Sequence, residues 1–252
     1  MFKSALRLIF SILVAGILVW GIRFFGCSIV EIPEDGERPV FMAGDRVALN
    51  KWSYGIRLSP MKWLDKARLG DARVGLGEWV AFNDPSMHDD SIFIDERNIF
   101  IGYCYAVPGD TLWVDRCGNI FRYMPPSGRP FKKVRLPQKG EFVGITPDNV
   151  YWYNSMINLH EGLCSEVVSD SLYVSGQLVT SFRFMHDYYW MSSANCENQL
   201  DSRTFGFVPD IYIIGRLTRV LYSFDDAAPW YNPFRWDRMM MKVGCEKPDI
   251  RR

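Results

Sequence analysis

Three hydroxyls in this 252-residue chain, Ser28, Ser53 and Ser86, are candidate nucleophiles. Ser86 is followed two residues later by His88, and a hydroxyl beside an imidazole base is the arrangement that acyl transfer needs. His160 and His186 are isolated in sequence, and each of the three histidines reads more simply as a surface or core side chain than as a ligand. The six cysteines (Cys27, Cys104, Cys117, Cys164, Cys196, Cys245) include no C-x-x-C pair and no Cys/His cluster at metal spacing. No metal and no cofactor is therefore expected. Lys+Arg and Asp+Glu both number 29, so the chain has no basic footprint and no nucleic-acid partner is expected.

These groups act only where the chain positions them. Lys3 and Arg7 precede an uncharged run of fifteen residues from Leu8 to Ile22, followed by Arg23, Phe24 and Phe25. As a helix that run spans roughly 22 Å, short of the roughly 30 Å hydrocarbon core. Counting Phe24 and Phe25 and letting Arg7 and Arg23 snorkel makes a span feasible. Acidic residues (Glu31, Glu34, Asp35, Glu37) crowd the far side, so the N-terminus is expected in the cytoplasm and the body outside it. A cleaved signal peptide competes, but Trp20 to Phe25 supplies few small residues. A lipoprotein anchor at Cys27 also competes, and Arg23 with two phenylalanines fits it poorly. Outside the cytoplasm six cysteines allow disulfides, with no pairing readable from sequence. Aromatic residues make up 15% of the chain; the simpler reading is a β-rich core built from them, the other an aromatic surface on lipid headgroups.

Beyond the anchor, Ile32 to Arg57 opens with the turn-rich Pro33-Glu34-Asp35-Gly36, then Pro39, then a Gly44-Asp45 turn. It alternates as a strand from Arg46 to Asn50 and continues as Lys51-Trp52-Ser53-Tyr54-Gly55. Gly77 to Phe82 reads as a strand ending at Asn83-Asp84-Pro85. Asn98 to Asp110 is a second strand closing in the turn Pro108-Gly109-Asp110. Asp187-Tyr188-Tyr189-Trp190-Met191 leads to Asp201-Ser202-Arg203 and then Gly206, Val208 and Pro209.

In this order and spacing the segments resemble the bacterial type I signal peptidases, the membrane-anchored Ser/Lys endopeptidases of the S26 (leader peptidase) family. That family reads roughly I-P-S-x-S-M-x-P-T-L-x-x-G-D-x-V-x-V-N-K-x-x-Y-G in the first segment. Ile32, Pro33, Pro39, Gly44, Asp45, Val47, Asn50, Lys51, Tyr54 and Gly55 fall on it without a gap. The resemblance places the nucleophilic serine at Gly36 and the oxyanion-hole serine at Glu34. The general-base lysine, six residues before Pro108, falls at Gly102. The family's G-D becomes Ser193-Ala194, and the serine supporting the lysine becomes Gln199, while Asn195, Asp201, Ser202, Arg203, Gly206, Val208 and Pro209 fit. Pro33, Pro39, Gly44, Asp45, Pro108, Gly109, Asp110, Asp201, Ser202 and Arg203 are then structural residues around a site without an intact dyad. Asp201 with Arg203 implies an ion pair holding a loop, against the plainer reading of a surface charge pair. Ser86 in PSMH is a decoy, because it follows a strand and lacks the family's downstream turn and strand. On an alternating strand Tyr103 points away from position 102, whereas Cys104 points the same way; a buried apolar cysteine is favoured over a relocated thiol nucleophile.

The fold expected is mostly β: a signal-peptidase-I-like twisted sheet core with a β-rich insertion, preceded by one N-terminal transmembrane helix. The expected division is 1–26 for cytoplasmic N-terminus and anchor, 27–110 with 190–252 for the core, and 111–189 for the insertion, which resembles that of Bacteroidetes-type members. Leu58 to Arg73 reads as a basic loop or short helix near the membrane. In the insertion, Leu112 to Val114 and Val134 to Leu136 read as strands around a Pro-rich loop at 125–130. Thr146 to Glu161 is predicted helical, with Thr146 as N-cap and Pro147 at the first helical position. Leu172 to Thr180 is predicted to be a hairpin around Ser175-Gly176. Ile211 to Phe224 reads as closing strands. The aromatic, basic tail from Pro229 to Met241 is expected to cap the sheet rather than lie on the membrane.

The function expected is a membrane-anchored, catalytically inactive signal-peptidase-like protein of the bacterial inner membrane, with a single pass and a periplasmic body. Its partners would be the membrane and either signal peptides of secreted precursors or an active signal peptidase paralogue. The alternatives are an active serine endopeptidase using Ser28, Ser53 or Ser86 with a base such as His88, and a structural envelope-assembly component whose groove is filled by Glu34, Arg38 or Phe41.

Overall fold

The computed structural model describes residues 2–21, 26–32, 39–57, 68–70, 72–86, 97–115, 119–124, 131–193, 201–225, 227–229 and 231–244. The chain begins with helix α1 (Phe2–Gly21), whose side chains from Leu8 to Val19 are exposed. Among the described residues no helix is long and apolar enough to cross a membrane, so the transmembrane part of the expectation is not carried by the fold itself.

Among the described residues, strands follow in the order β1 (Cys27–Glu31), β2 (Asp45–Asn50), β3 (Ile56–Arg57), β4 (Arg68–Leu69), β5 (Trp79–Asn83), β6 (Ile99–Ala106), β7 (Thr111–Val114), β8 (Ile120–Phe121) and β9 (Lys132–Arg135). Then come β10 (Phe142–Gly144), helix α2 (Val150–His160), β11 (Ser165–Val168), β12 (Ser171–Val174), β13 (Gln177–Val179), β14 (Ser181–Arg183), β15 (Tyr188–Ser192), the short helix α3 (Ser202–Phe205), β16 (Val208–Pro209) and β17 (Ile213–Ser223). A seven-stranded sheet, in the order β1-β2-β17-β5-β6-β15-β16, dominates the molecule. Register shifts in β17 against both β2 and β5 add local twist, and the sheet curls into a half-barrel. Residues 111–183 make three of the smaller sheets, and β3 with β4 makes another. One cluster of buried side chains nevertheless joins Trp190 and Phe207 of the large sheet's end to Val134, Tyr153, Leu172 and Phe184.

Local chemistry explains where the elements start. Ser175 and Gly176 both take positive φ (50° and 78°), as a two-residue hairpin turn requires, and β12 pairs with β13 across them. The helix predicted from Thr146 begins later, at Val150, with Asn149 at the cap. The Asn149 side chain turns back to accept the Thr146 N–H (2.8 Å) and to donate to Gly144 O (3.1 Å). The Thr146 carbonyl still accepts from Asn149 N–H (3.1 Å) and Val150 N–H (3.0 Å), so the chain turns at 146–149 before the helix proper. The segment expected as a loop or helix over 58–73 contains instead a strand, β4, paired with β3, while 58–67 lie outside the described residues. The Pro-rich loop also lies outside them.

The expected closing strands are one eleven-residue strand, β17. The tail runs beside it, with Arg219 bridging to Lys242 and Phe224 to Phe234. It thus closes the edge left open beyond the end of β5, although Tyr231, Trp236 and Met240 remain exposed. From this tail Arg238 reaches Asp45, with guanidinium nitrogens 2.6 and 3.1 Å from the two carboxylate oxygens, and both side chains are buried. Removing one partner leaves an uncompensated buried charge, a loss of about 3–5 kcal/mol. Asp45→Ala is therefore expected to lower the denaturation free energy by about that amount, read from urea unfolding; a loss within experimental error would show the pair to be dispensable.

Candidate functional site

The strand β6 alternates as its sequence requires. Tyr103 joins Trp79 and Phe41 on one face of the sheet, and Cys104 joins Val80, Phe82 and Met191 on the other. Gly102 lies on the Cys104 face, opposite Val80 of β5. A Cβ built on Gly102 would sit 3.2 Å from Ser192 O, 3.4 Å from the Phe82 ring and 3.5 Å from Met191 Cβ. The position is therefore lined by an apolar wall and one carbonyl, with space for a methylene only if these neighbours shift. Phe205 closes the outer side: its ring lies 5.7 Å from Phe82 and stacks on Phe100 at 5.8 Å.

The loop beside this wall is held by the box at 201–203. The Asp201 carboxylate is buried and caps α3 by accepting the Arg203 N–H at 2.9 Å. The Arg203 guanidinium grips it through both Nε and a terminal nitrogen at 2.9 Å, so the pair is a built ion pair and not a loose surface contact. Asp201 also accepts the Ser193 N–H (3.1 Å), and Ser202 Oγ accepts the Met191 N–H (3.0 Å). Asp201 and Ser202 thus fix the end of β15, with Arg203 holding Asp201, and Met191 and Ser192 of that strand line position 102.

The second turn is equally well tied. Gly109, at φ 90°, approaches the Gln138 side chain too closely for a Cβ, and Gln138 donates to Pro108 O at 3.1 Å. Asp110 accepts the Val107 N–H and pairs with Arg122, each at 3.1 Å. At the first turn, Gly44 takes φ 84° because a Cβ there would collide with the Phe224 carbonyl. Pro39 is exposed at the start of the same turn. Pro33, Glu34, Gly36 and Arg38 lie outside the described residues, as do Asn195 and Gln199.

Cys104 is fully buried, and its thiol donates to Ala106 O at 3.5 Å. Burial, with Glu78 nearby, pushes its pKa far up, so the thiol stays protonated and inert. Glu78 itself accepts from Tyr54 OH (2.7 Å) and pairs with Arg216 (2.8 Å). Burial and this carboxylate raise the Tyr54 phenol in turn. Of the relocated candidates, Ser28 lies on β1, Ser53 in the turn after β2, and Ser86 beyond β5, so they come from three separate elements. Ser86 Oγ donates to Asp84 at 2.5 Å in a local turn, and His88 lies outside the described residues. His160, isolated in sequence, instead comes beside this turn, its Nε2 3.1 Å from Pro85 O; a carbonyl can only accept, so that nitrogen donates. Phe41 stands edge-on to Trp79 at 5.0 Å within the core, so it is a core side chain and not a groove plug.

Phe82, Met191 and Phe205, which wall position 102, are not among the residues that the family resemblance marks as site positions. Phe82 lies two residues past Val80 on an alternating strand, and Met191 falls within the D-Y-Y-x-M box. Both signals were present in sequence, while the reach of Phe205 across to Phe82 was not.

The sequence profile described as "Signal peptidase, peptidase S26" matches residues 5–222. The chain belongs to the S26 signal peptidase family. It is similar to proteins named signal peptidase I from Helicobacter pylori strain J99 (26% identical, covering 92% of this chain and 91% of that protein). Others come from Buchnera aphidicola subsp. Schizaphis graminum (24%, covering 88% and 77%) and Pseudomonas aeruginosa (26%, covering 89% and 72%).

Two outcomes follow from the buried groups of this S26 family member. Exposed Cys27 and Cys164 should be alkylated by iodoacetamide at pH 8, and Cys104 only after unfolding; mass spectrometry separates the three, and early labelling of Cys104 would refute its burial. Tyr54, Tyr153, Tyr188 and Tyr189 are all shifted upward, chiefly by burial. The unfolded phenols ionise near about pH 10 and the folded ones later, so this contribution is intact below about pH 10 and lost above it. Denaturant midpoints should therefore hold to about pH 9 and then fall, with tyrosinate absorbance rising only alongside unfolding.

Proposed function

We propose that this chain is a membrane-anchored S26-family protein that has lost peptidase chemistry and retains the scaffold for binding an extended peptide. The observation that carries the reading is Gly102. The apolar wall of Phe82, Met191 and Phe205 around it, and the Asp201/Arg203 frame behind it, are what a buried lysine of depressed pKa would need. A glycine stands where the base would be, and the sequence gives Gly36, Glu34 and Gln199 at the other three chemical positions. Loss of a nucleophile or its base forfeits several powers of ten in rate, and four substitutions within an intact frame reinforce one another. The bound partner in this reading is a secretory precursor held by strand addition, or an active signal peptidase paralogue. The exposed apolar side chains of α1, with Lys3 and Arg7 before them, support an anchor with a cytoplasmic N-terminus and a periplasmic body.

The test is to incubate the purified, detergent-solubilised chain with a secretory precursor alongside Gly36→Ser/Gly102→Lys. Because the Gly102 wall is close, the lysine should cost about 1–3 kcal/mol, so a third variant adds Phe82→Leu to make room. The expected result is precursor binding without cleavage by wild type, and cleavage recovered in a variant carrying the dyad. Cleavage by wild type would overturn the reading.

A further inference from the structure

A cavity of about 290 Å³ opens on the far side of Phe205, between α2 and the α3–β16 connection. This approaches the roughly 300 Å³ at which sites for small organic groups begin. Its walls include Trp152, Met156, Phe205 and Phe207, with Ser155 and Arg203 at the lining. The aromatic wall is rigid, because Trp152 stands edge-on to both Trp190 (5.8 Å) and Phe207 (5.5 Å). Gly206 lies beside it with nothing within 4 Å of where a Cβ would be.

We propose that this cavity takes one bulky apolar side chain, aromatic or leucine-like, of an extended peptide held against the sheet. The proposal rests on the peptide-binding reading above and adds a specificity pocket to it. Two observations favour an apolar occupant. One wall is built from aromatic rings and a thioether, which gain from burying apolar surface, while Tyr151, Ser155, His160 and Thr204 supply polar groups elsewhere on the lining. Its formal charge, Arg203, is already neutralised by the two-point grip on Asp201, so a charged occupant would be desolvated without a counter-ion. Ring contacts link the cavity to position 102: Phe205 meets Phe82 at 5.7 Å, and the Phe82 ring lies 3.4 Å from a Cβ built on Gly102. The preferred side chain should thus be one position of the peptide, distinct from the one facing Gly102.

The test uses the full chain in lipid nanodiscs and a fluorescein-labelled ten-residue Ala/Ser host peptide, with phenylalanine placed in turn at each position. Anisotropy should show binding at least tenfold tighter at one position than for the host peptide. Ser155→Trp, an exposed helix-surface change that fills the cavity, should abolish that preference and leave host-peptide binding and thermal midpoint unchanged. Equal binding of all phenylalanine peptides and the host would overturn the pocket while leaving the peptide-binding reading standing. A preference that survives in Ser155→Trp would place it elsewhere and also overturn the pocket. No binding of any peptide would overturn both.

Discussion

The buried contact between Asp45 and Arg238 holds the turn to which both Ile32 and the C-terminal tail are tied. Ile32 donates to Asp45 O at 2.9 Å and accepts from Gly44 at 3.0 Å, so Ile32 is fixed against this turn. Arg238 fastens the turn from the other side, through Asp45 and through Val40 O at 2.9 Å. Arg235 adds Ala43 O at 2.8 Å. A charge so placed is retained for geometry: burying the pair gains little net free energy, but breaking it costs much. The Gly44-Asp45 turn is therefore a structural tie between Ile32, β2 and the C-terminal tail.

The same separation of scaffold from chemistry holds at Gly102. An apolar wall depresses a lysine's pKa by penalising the charged form, and it does so at the expense of stability. With glycine in place the same wall is ordinary core, and Phe82, Met191 and Phe205 pack as hydrophobic groups without a buried amine to desolvate. The Asp201/Arg203/Ser202 box remains necessary because it terminates β15 and caps α3, tasks independent of catalysis. In the reading proposed above, loss of the reactive groups would leave every structural reason for the frame intact.

What the sequence made legible was governed by short-range rules. Period-two alternation placed Tyr103 and Cys104 on opposite faces of β6, and the Ser175-Gly176 turn set the β12–β13 register. The Pro108-Gly109-Asp110 turn followed from glycine's access to positive φ. The helix α2 starts at Val150 and not near Thr146, where Asn149 turns its side chain back to Thr146 N–H and Gly144 O, a local side-chain pattern that propensity does not rank. Arg238 was hidden for a different reason: its partner is 193 residues away, and no spacing rule reaches that far. The Phe205 contacts were equally hidden, since they depend on where a four-residue helix is docked.

The aromatic content, open to two readings in sequence, divides by position. Trp79, Trp190, Tyr103, Tyr153 and Tyr188 are among the largest fully buried side chains, as a small-layered β fold needs when each sheet face must be covered by few residues. Trp52, Tyr231 and Trp236 remain exposed. Trp52 lies in the turn after β2, next to Lys51, whose N–H bonds Gly26 O at 2.9 Å where β1 begins. The buried set also decides how the insertion relates to the sheet: Trp190 and Phe207 pack into the same cluster as Tyr153 and Phe184. A load placed on α2 by a bound side chain would therefore reach β15 through close-packed rings, and β15 is the strand whose Met191 and Ser192 border Gly102.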